Sequence, residues 1–171
     1  MFCGQDWAVK ARNPRTRDCL QFLTEDLKGF YKSMMTYYKE ELGVKCPIIA
    51  TNWHTADNRT LGALDKYTNT ACDVMDRHGY FNGKIYSPRG YMLNKGDKYV
   101  DKSALFDPAA HCIKEVQYTD HPHTMSEINW KAPNRYRGES MLLSACYGAL
   151  QGTDGFFHFA LSSANWMVYQ K

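Results

Sequence analysis

Apolar residues recur every three or four positions over residues 18–42, and this period predicts an amphipathic helix. The stripe consists of Leu20, Leu23, Leu27, Phe30, Met34, Tyr38 and Leu42. Asp18 or Thr16 is placed to cap the start of this helix. Gly43 stands where a left-handed residue often closes a helix.

A second helix is predicted over residues 138–150, with Gly152 after its end. Its apolar face is predicted to carry Leu142, Ala145, Cys146 and Ala149. A third, shorter helix is predicted over residues 58–68, with Asp57 or Asn58 as its cap.

Four short runs of β-favouring residues predict strands, over residues 47–53, 71–81, 124–130 and 154–161. Residues 82–104 are Gly-rich and polar without a period, and they predict a long loop. Because helices and strands alternate, the pattern favours an α/β fold with a parallel sheet. The sheet is predicted either to be open and doubly wound or to be part of a (β/α)8 barrel.

Composition narrows the class of protein. The chain has 171 residues, enough for one domain, and 44% are hydrophobic, enough for a core. The net charge of +3 comes without a Lys/Arg run, which argues against a nucleic-acid partner. No apolar run reaches the roughly 18 residues of a membrane span. Gln5 and Asp6 interrupt the start that a signal peptide would need, so localisation is left open.

Two further observations limit cofactors and cross-links. The six cysteines are widely and irregularly spaced, which predicts free thiols rather than a disulfide scaffold or a zinc ribbon. No glycine-rich nucleotide motif follows a predicted strand, so no cofactor is predicted. His121 and His123 flank Pro122 and suggest a metal-dependent hydrolase as a minor alternative. Because this pair precedes its strand, away from the predicted site, no metal site is predicted.

Polar and aromatic residues gather at the predicted strand ends. They are Asn52, Trp53 and His54, then Asp76, His78 and Tyr80, then Glu127, Asn129 and Trp130, and finally His158, Asn165 and Trp166. In parallel α/β folds the C-terminal strand ends build the active site. An aromatic content of 14% suits flat ligands such as sugars, although each ring can equally serve core packing.

Glu127 stands among β-favouring neighbours in "TMSEINW". Glycoside hydrolysis uses two carboxylates beside the scissile bond, and Glu127 fits one of them. The alternative is structural: Glu127 pairs with Arg135 or Arg137 and fixes the loop that follows.

A resemblance supports the first of these alternatives. "TMSEINWKAPNRYRGESMLLSACYGALQGTDGFFHFAL" resembles strands seven and eight of retaining (β/α)8-barrel glycoside hydrolases, the superfamily of β-galactosidases and cellulases. "PIIATNWHTADNRTLGALDKYTNTACDVMDRHGYF" is similar to strands five and six of bacterial members. Together the resemblance covers about residues 16–166.

The resemblance implies a partial TIM barrel, about strands five to eight, over residues 1–171. It implies that Glu127 is the nucleophile and that carbohydrate is the substrate. The implied sugar-lining positions are Asn52, Trp53, His78, Tyr80, Asn129, Trp130 and Trp166.

The chain departs from the family in one respect. The family's acid/base is a Glu that usually follows Asn at the end of strand four, and the chain has no Asn-Glu pair. A full barrel also needs about 250 residues. Strands one to four and the acid/base are therefore expected in an N-terminal half barrel that precedes Met1. The competing expectation is a non-catalytic carbohydrate-binding or assembly module.

Overall fold

A computed structural model of the chain describes residues 13–81, 85–86, 94–114 and 120–160. Within these ranges it is a mixed α/β structure with three α-helices and a parallel three-stranded sheet. The predicted α/β class with a parallel sheet is confirmed. A sheet of three strands fits an open sheet as well as part of a barrel. Within the same ranges, no helix is both long and apolar enough to cross a membrane.

Helix α1 (Pro14–Thr36) begins four residues earlier than predicted. Asn13, and not Asp18 or Thr16, is its N-cap, because the Asn13 side chain accepts a hydrogen bond of 2.9 Å from the Thr16 backbone N–H. Pro14 follows at the first helical position, where its missing N–H costs nothing. A π-helical turn (Tyr37–Glu41) extends the helix, and Gly43 then adopts a positive φ of 67°, as predicted.

The predicted strand at residues 47–53 is wrong in extent. It is reduced to one parallel bridge between Ile49 and Val74. The predicted start of the next helix is also wrong, because α2 spans Gly62–Asn69. Asp57 holds a separate turn before it, accepting hydrogen bonds from the backbone N–H groups of Arg59 and Thr60.

The strands are β1 (Met75–Phe81), β2 (Ile85–Tyr86), β3 (Lys98–Tyr99), β4 (His123–Trp130) and β5 (Gly155–His158). The parallel sheet has the order β1–β4–β5. Residues 71–74, which the sequence assigned to β1, form a turn and the bridge residue Val74. The backbone N–H of Lys131 donates to the Phe81 carbonyl at 3.2 Å, so β1 and β4 end side by side.

The loop predicted at residues 82–104 is not entirely irregular. β2 and β3 pair antiparallel within it, with Ile85 opposite Tyr99 and Tyr86 opposite Lys98. Aromatic and β-branched residues favour such pairing, and the surrounding glycines concealed it in the sequence. Three short 3-10 turns follow, at Ala104–Phe106, Pro108–Ala110 and Cys112–Lys114.

Helix α3 (Glu139–Gln151) has the predicted position, and Gly152 ends it with φ at 69°. Its predicted packing face is wrong. The buried residues are Ser140, Leu143, Ser144 and Gly148, whereas Leu142, Ala145, Cys146 and Ala149 are all exposed. A Cβ atom at Gly148 would lie 2.1 Å from Cε2 of Phe156 on β5, so only the face with small residues fits against that ring.

The chain divides into two compact units. The first is Met1–Arg77 with Gln117–Thr124, and the second is His78–Val116 with Met125–Lys171. In the first unit, Asp65 and Arg77 form a buried ion pair with 3.2 Å between Oδ2 and Nη2. The core of the second unit contains Phe81, Ala104, Ile113, Met125, Ile128, Trp130 and Leu143.

All five cysteines that fall in the described ranges are unpaired, as the sequence predicted. Cys72 is buried, Cys19 and Cys112 are partly buried, and Cys46 and Cys146 are exposed. Thiols this varied in exposure are consistent with independent roles and with no shared cross-link.

Candidate functional site

The segment "HGY" of β1 sends its residues to two sides of the strand. His78 and Tyr80 are two positions apart, so their side chains share one face. Gly79 faces the core instead, where an added Cβ would lie 2.5 Å from Met125 Cε and 2.7 Å from Cys112 Cβ. Glycine is therefore required for close packing behind the two polar residues.

On β4 the alternation of burial changes phase at Ser126 and Glu127. Met125 is buried, Ser126 and Glu127 are both half-buried, and Ile128 is buried again. Two consecutive half-buried residues make a step in the two-residue alternation of a regular strand. Because of the step, Glu127 lies on the open side of a strand whose other side forms the core.

The two polar residues of β1 both lie against the Glu127 carboxylate, and Tyr80 makes a hydrogen bond to it. The Tyr80 hydroxyl donates a short hydrogen bond to Oε2 of Glu127. The Nδ1 atom of His78 lies 3.2 Å from the same oxygen. The Glu127 side chain remains 31% exposed while His78 is 10% exposed, so the carboxylate contacts partly buried residues on one side and solvent on the other.

Tyr80 is suited to act as a permanent donor. Burial raises the pKa of its hydroxyl above the ordinary value, and the hydrogen bond to the negative Glu127 raises it further. A phenol with a raised pKa keeps its proton at neutral and moderately alkaline pH. Tyr80 therefore remains able to donate to the carboxylate throughout that range.

The structural alternative for Glu127 was a pair with Arg135 or Arg137. Arg135 is instead bound to Asp101, with 2.6 Å between Nε and Oδ2 and a backbone N–H donated to the same carboxylate at 3.0 Å. Glu139 is likewise committed, since it accepts from the Ser103 hydroxyl at 2.6 Å and the Ala104 N–H at 2.8 Å. The loop after β4 is thus fixed without Glu127.

Two other residues of β4 that were predicted to line a sugar site, Asn129 and Trp130, make contacts within the protein. Asn129 donates from Nδ2 to the Phe159 carbonyl at 3.3 Å and accepts from the Trp130 N–H at 2.8 Å. The Trp130 ring is 0% exposed, with its centroid 5.3 Å from that of Phe81. A ring without exposed surface cannot stack on a sugar in this arrangement, so core packing describes Trp130.

Asn52 and Trp53 belong to the first compact unit, where Trp53 is 65% exposed. Trp166 lies outside the described residues, as does Asn165. Of the predicted set, the structure brings together Glu127, His78 and Tyr80.

One neighbour of this group was not predicted from the sequence. The Lys131 ammonium lies 4.8 Å from the centroid of the Tyr80 ring. Its position directly after β4 was the available signal, because residues at strand ends share a site in parallel α/β folds.

The histidine pair 121 and 123 gives no metal centre. His121 lies 3.3 Å from the Thr70 carbonyl, and His123 is buried at the start of β4. In the portion of the chain that the structure describes, no three His, Cys, Asp or Glu side chains are grouped to hold a metal ion.

Fold and site together define an α/β protein with a parallel sheet, in which a carboxylate of β4 accepts a hydrogen bond from a tyrosine of β1 and lies beside a histidine of the same strand. Comparison with known proteins adds no relative: the chain matches no protein family, no curated protein and no solved structure.

Proposed function

We propose that the protein is a glycoside hydrolase in which Glu127 acts as the nucleophile on a carbohydrate substrate. The observation that carries the proposal is the anchoring of one carboxylate oxygen. Among the described residues, both contacts of the Glu127 carboxylate fall on Oε2, from Tyr80 and His78. Oε1 is thereby oriented and left available for attack.

The proposed reaction follows from this geometry. Oε1 of Glu127 attacks the anomeric carbon and forms a glycosyl ester, while the bond from that carbon to the leaving oxygen breaks. The leaving oxygen takes a proton from the acid/base that the proposal places outside this chain. Water then attacks the anomeric carbon and gives a proton back to that acid/base, and the bond to Glu127 breaks and restores the carboxylate. The hydrogen bond from Tyr80 orients the carboxylate, with His78 packed beside the same oxygen, and this reduces the entropy lost on reaching the transition state.

The proposed architecture is half of a (β/α)8 barrel, corresponding to strands five to eight. Three features support it: the parallel strands are neighbours in their chain order, α3 connects β4 to β5, and a bridge between Ile49 and Val74 precedes β1. Between β1 and β4 the described residues form β2, β3 and three 3-10 turns in place of an α-helix. An N-terminal half barrel would then be the partner that supplies strands one to four and the acid/base. No metal or other cofactor is needed for this chemistry.

The direct test is covalent labelling of the full chain. An activated 2-fluoro glycoside with a dinitrophenyl leaving group needs no acid, so it should form a stable ester on Glu127. Peptide mass spectrometry would locate the ester. Glu127→Gln should abolish labelling, whereas Glu41→Gln, the same change on the exposed π-helical turn, should not affect it. A label on another residue, or labelling that survives Glu127→Gln, would contradict the proposal.

The second candidate is a carbohydrate-binding module without turnover. It is favoured by the lack, among the described residues, of a second carboxylate in contact with Tyr80 or His78, because Glu139 accepts its hydrogen bonds from Ser103 and Ala104. Binding of sugars without labelling of Glu127 would identify this alternative.

A further inference from the structure

Lys131 is fixed in the backbone at the point where β1 and β4 end. Its N–H donates to the Phe81 carbonyl at 3.2 Å. Its own carbonyl accepts from the Asn134 N–H at 3.1 Å and closes the turn that follows. The base of the Lys131 side chain therefore has one position relative to the strand that carries Glu127.

Residues 101 and 102 also hold this turn in place through contacts with Asn134 and Arg135. Asn134 is 1% exposed and donates from Nδ2 to the Lys102 carbonyl at 2.9 Å. Arg135 forms its ion pair with Asp101 directly beside it. A binding residue carried by a braced segment presents its functional group more accurately than one on a loose loop.

Tyr80 links Lys131 to the nucleophile. The Lys131 ammonium lies over the Tyr80 ring, and the hydroxyl of that ring contacts Glu127. One side chain thus touches both the proposed nucleophile and a cation. The four-carbon stem of lysine allows the ammonium to leave the ring and to meet a ligand nearby.

We propose that Lys131 binds an anionic substituent of the sugar, a carboxylate or a sulfate ester, in the same site as Glu127. This inference rests on the proposed function and gives its substrate class. A neutral sugar offers the ammonium only hydroxyl groups. An anionic group adds the attraction between two opposite charges to the hydrogen bond, so it is favoured over a hydroxyl group.

The test compares dissociation constants for three probes with the full chain, measured by ligand-observed NMR. The probes are methyl β-glucopyranoside, its 6-O-sulfate and methyl β-glucopyranosiduronate, with the galacto series measured in parallel. The wild type should bind at least one anionic probe about tenfold more tightly than the neutral one. A preference for the uronate identifies a carboxylate ligand, and a preference for the sulfate identifies a sulfate ester.

Variants assign this preference to the residue. Lys131→Met keeps the length of the side chain and removes the charge, and it should abolish the preference for the anionic probes over the neutral one. Lys131→Arg should retain it. Lys45→Met, the same change at an exposed position of the first unit, is the control for net charge.

Each contrary outcome has a definite meaning. Equal affinity for all three probes, or a preference that survives Lys131→Met, overturns the inference. If Glu127 is nevertheless labelled by the 2-fluoro glycoside, the proposed function stands and only the inference about Lys131 is wrong. If no probe binds and no label forms, both are wrong.

Discussion

Tyr80 is the residue on which the orientation of Glu127 depends most directly. Its hydroxyl is a protonated donor, because burial and the adjacent carboxylate raise its pKa. The hydrogen bond it makes is to a charged acceptor, the stronger kind. Removing the hydroxyl leaves the ring that packs beside Lys131 and takes away only the donor.

Tyr80→Phe should therefore slow covalent labelling by an activated 2-fluoro glycoside about 10- to 100-fold, the effect of one hydrogen bond to a charged group. The measurement is the second-order rate of inactivation. Tyr99→Phe, on the half-exposed β3 residue, should leave the rate unchanged. An unchanged rate in Tyr80→Phe would show that the hydroxyl does not position the nucleophile.

The lowered pKa of His158 predicts how the stability of the protein depends on pH. Burial lowers the pKa of its imidazole below the ordinary value, and Nδ1 lies 3.4 Å from the Ser140 hydroxyl oxygen. The unfolded chain therefore binds more protons at His158 than the folded chain as the pH falls. The stabilisation is present above the ordinary pKa of about 6.5 and is lost as the pH falls below it.

We expect His158→Gln to lose less unfolding free energy than the wild type between about pH 7.5 and about pH 5.5. Urea denaturation at both pH values measures this difference. His54→Gln, at an exposed position, should follow the wild type. If His158→Gln shows the same pH dependence as the wild type, the buried imidazole is not its source.

Among the elements, α3 shows how a sequence pattern can locate a helix and still misplace its packing face. Its length and its terminal Gly152 were predictable, because both depend on local propensity and capping. The packing face was not, because hydrophobicity favoured Leu142 and Ala145 over Ser144 and Gly148. The preference for small residues comes from Phe156 on β5, a tertiary contact that no periodicity contains.

Gly148→Ala should destabilise the protein by about 1–3 kcal/mol, since the new methyl group would overlap the Phe156 ring. Urea unfolding gives the difference. Gly29→Ala is the matched control within α1, where an added Cβ meets nothing within 4 Å. It should stabilise the protein by about 0.4–1 kcal/mol. Equal effects of the two substitutions would refute close packing of α3 against β5.

For the molecule as a whole, the sequence located the parallel sheet and three members of the candidate site, Glu127, His78 and Tyr80. Those residues were predictable because two-residue spacing and strand ends determine which side chains meet. The burial of Trp130 was not predictable, because an aromatic residue at a strand end suits a sugar and a core equally. The shift in the alternation of burial before Ile128 leaves Trp130 on the core side of β4, and this shift is a property of the folded strand.

The proposed half barrel predicts how the rate of hydrolysis by this chain depends on the leaving group. In this proposal Glu127 is the nucleophile and the acid/base lies outside this chain, while Glu139 accepts hydrogen bonds from the Ser103 hydroxyl and the Ala104 N–H. Without an acid, the leaving group must depart as an anion. Because general acids contribute about 100- to 10,000-fold, a dinitrophenyl glycoside should react faster than the phenyl glycoside by at least that ratio.

The comparison is made with the full chain, with Glu127→Gln as the control that assigns turnover to this site. Similar rates for the two leaving groups would mean that the chain contains its own acid. An N-terminal half barrel would then not be needed to supply one. Addition of an N-terminal half barrel that carries an Asn-Glu strand end should raise the phenyl glycoside rate most. The dinitrophenyl rate should change little, since its leaving group already departs without a proton.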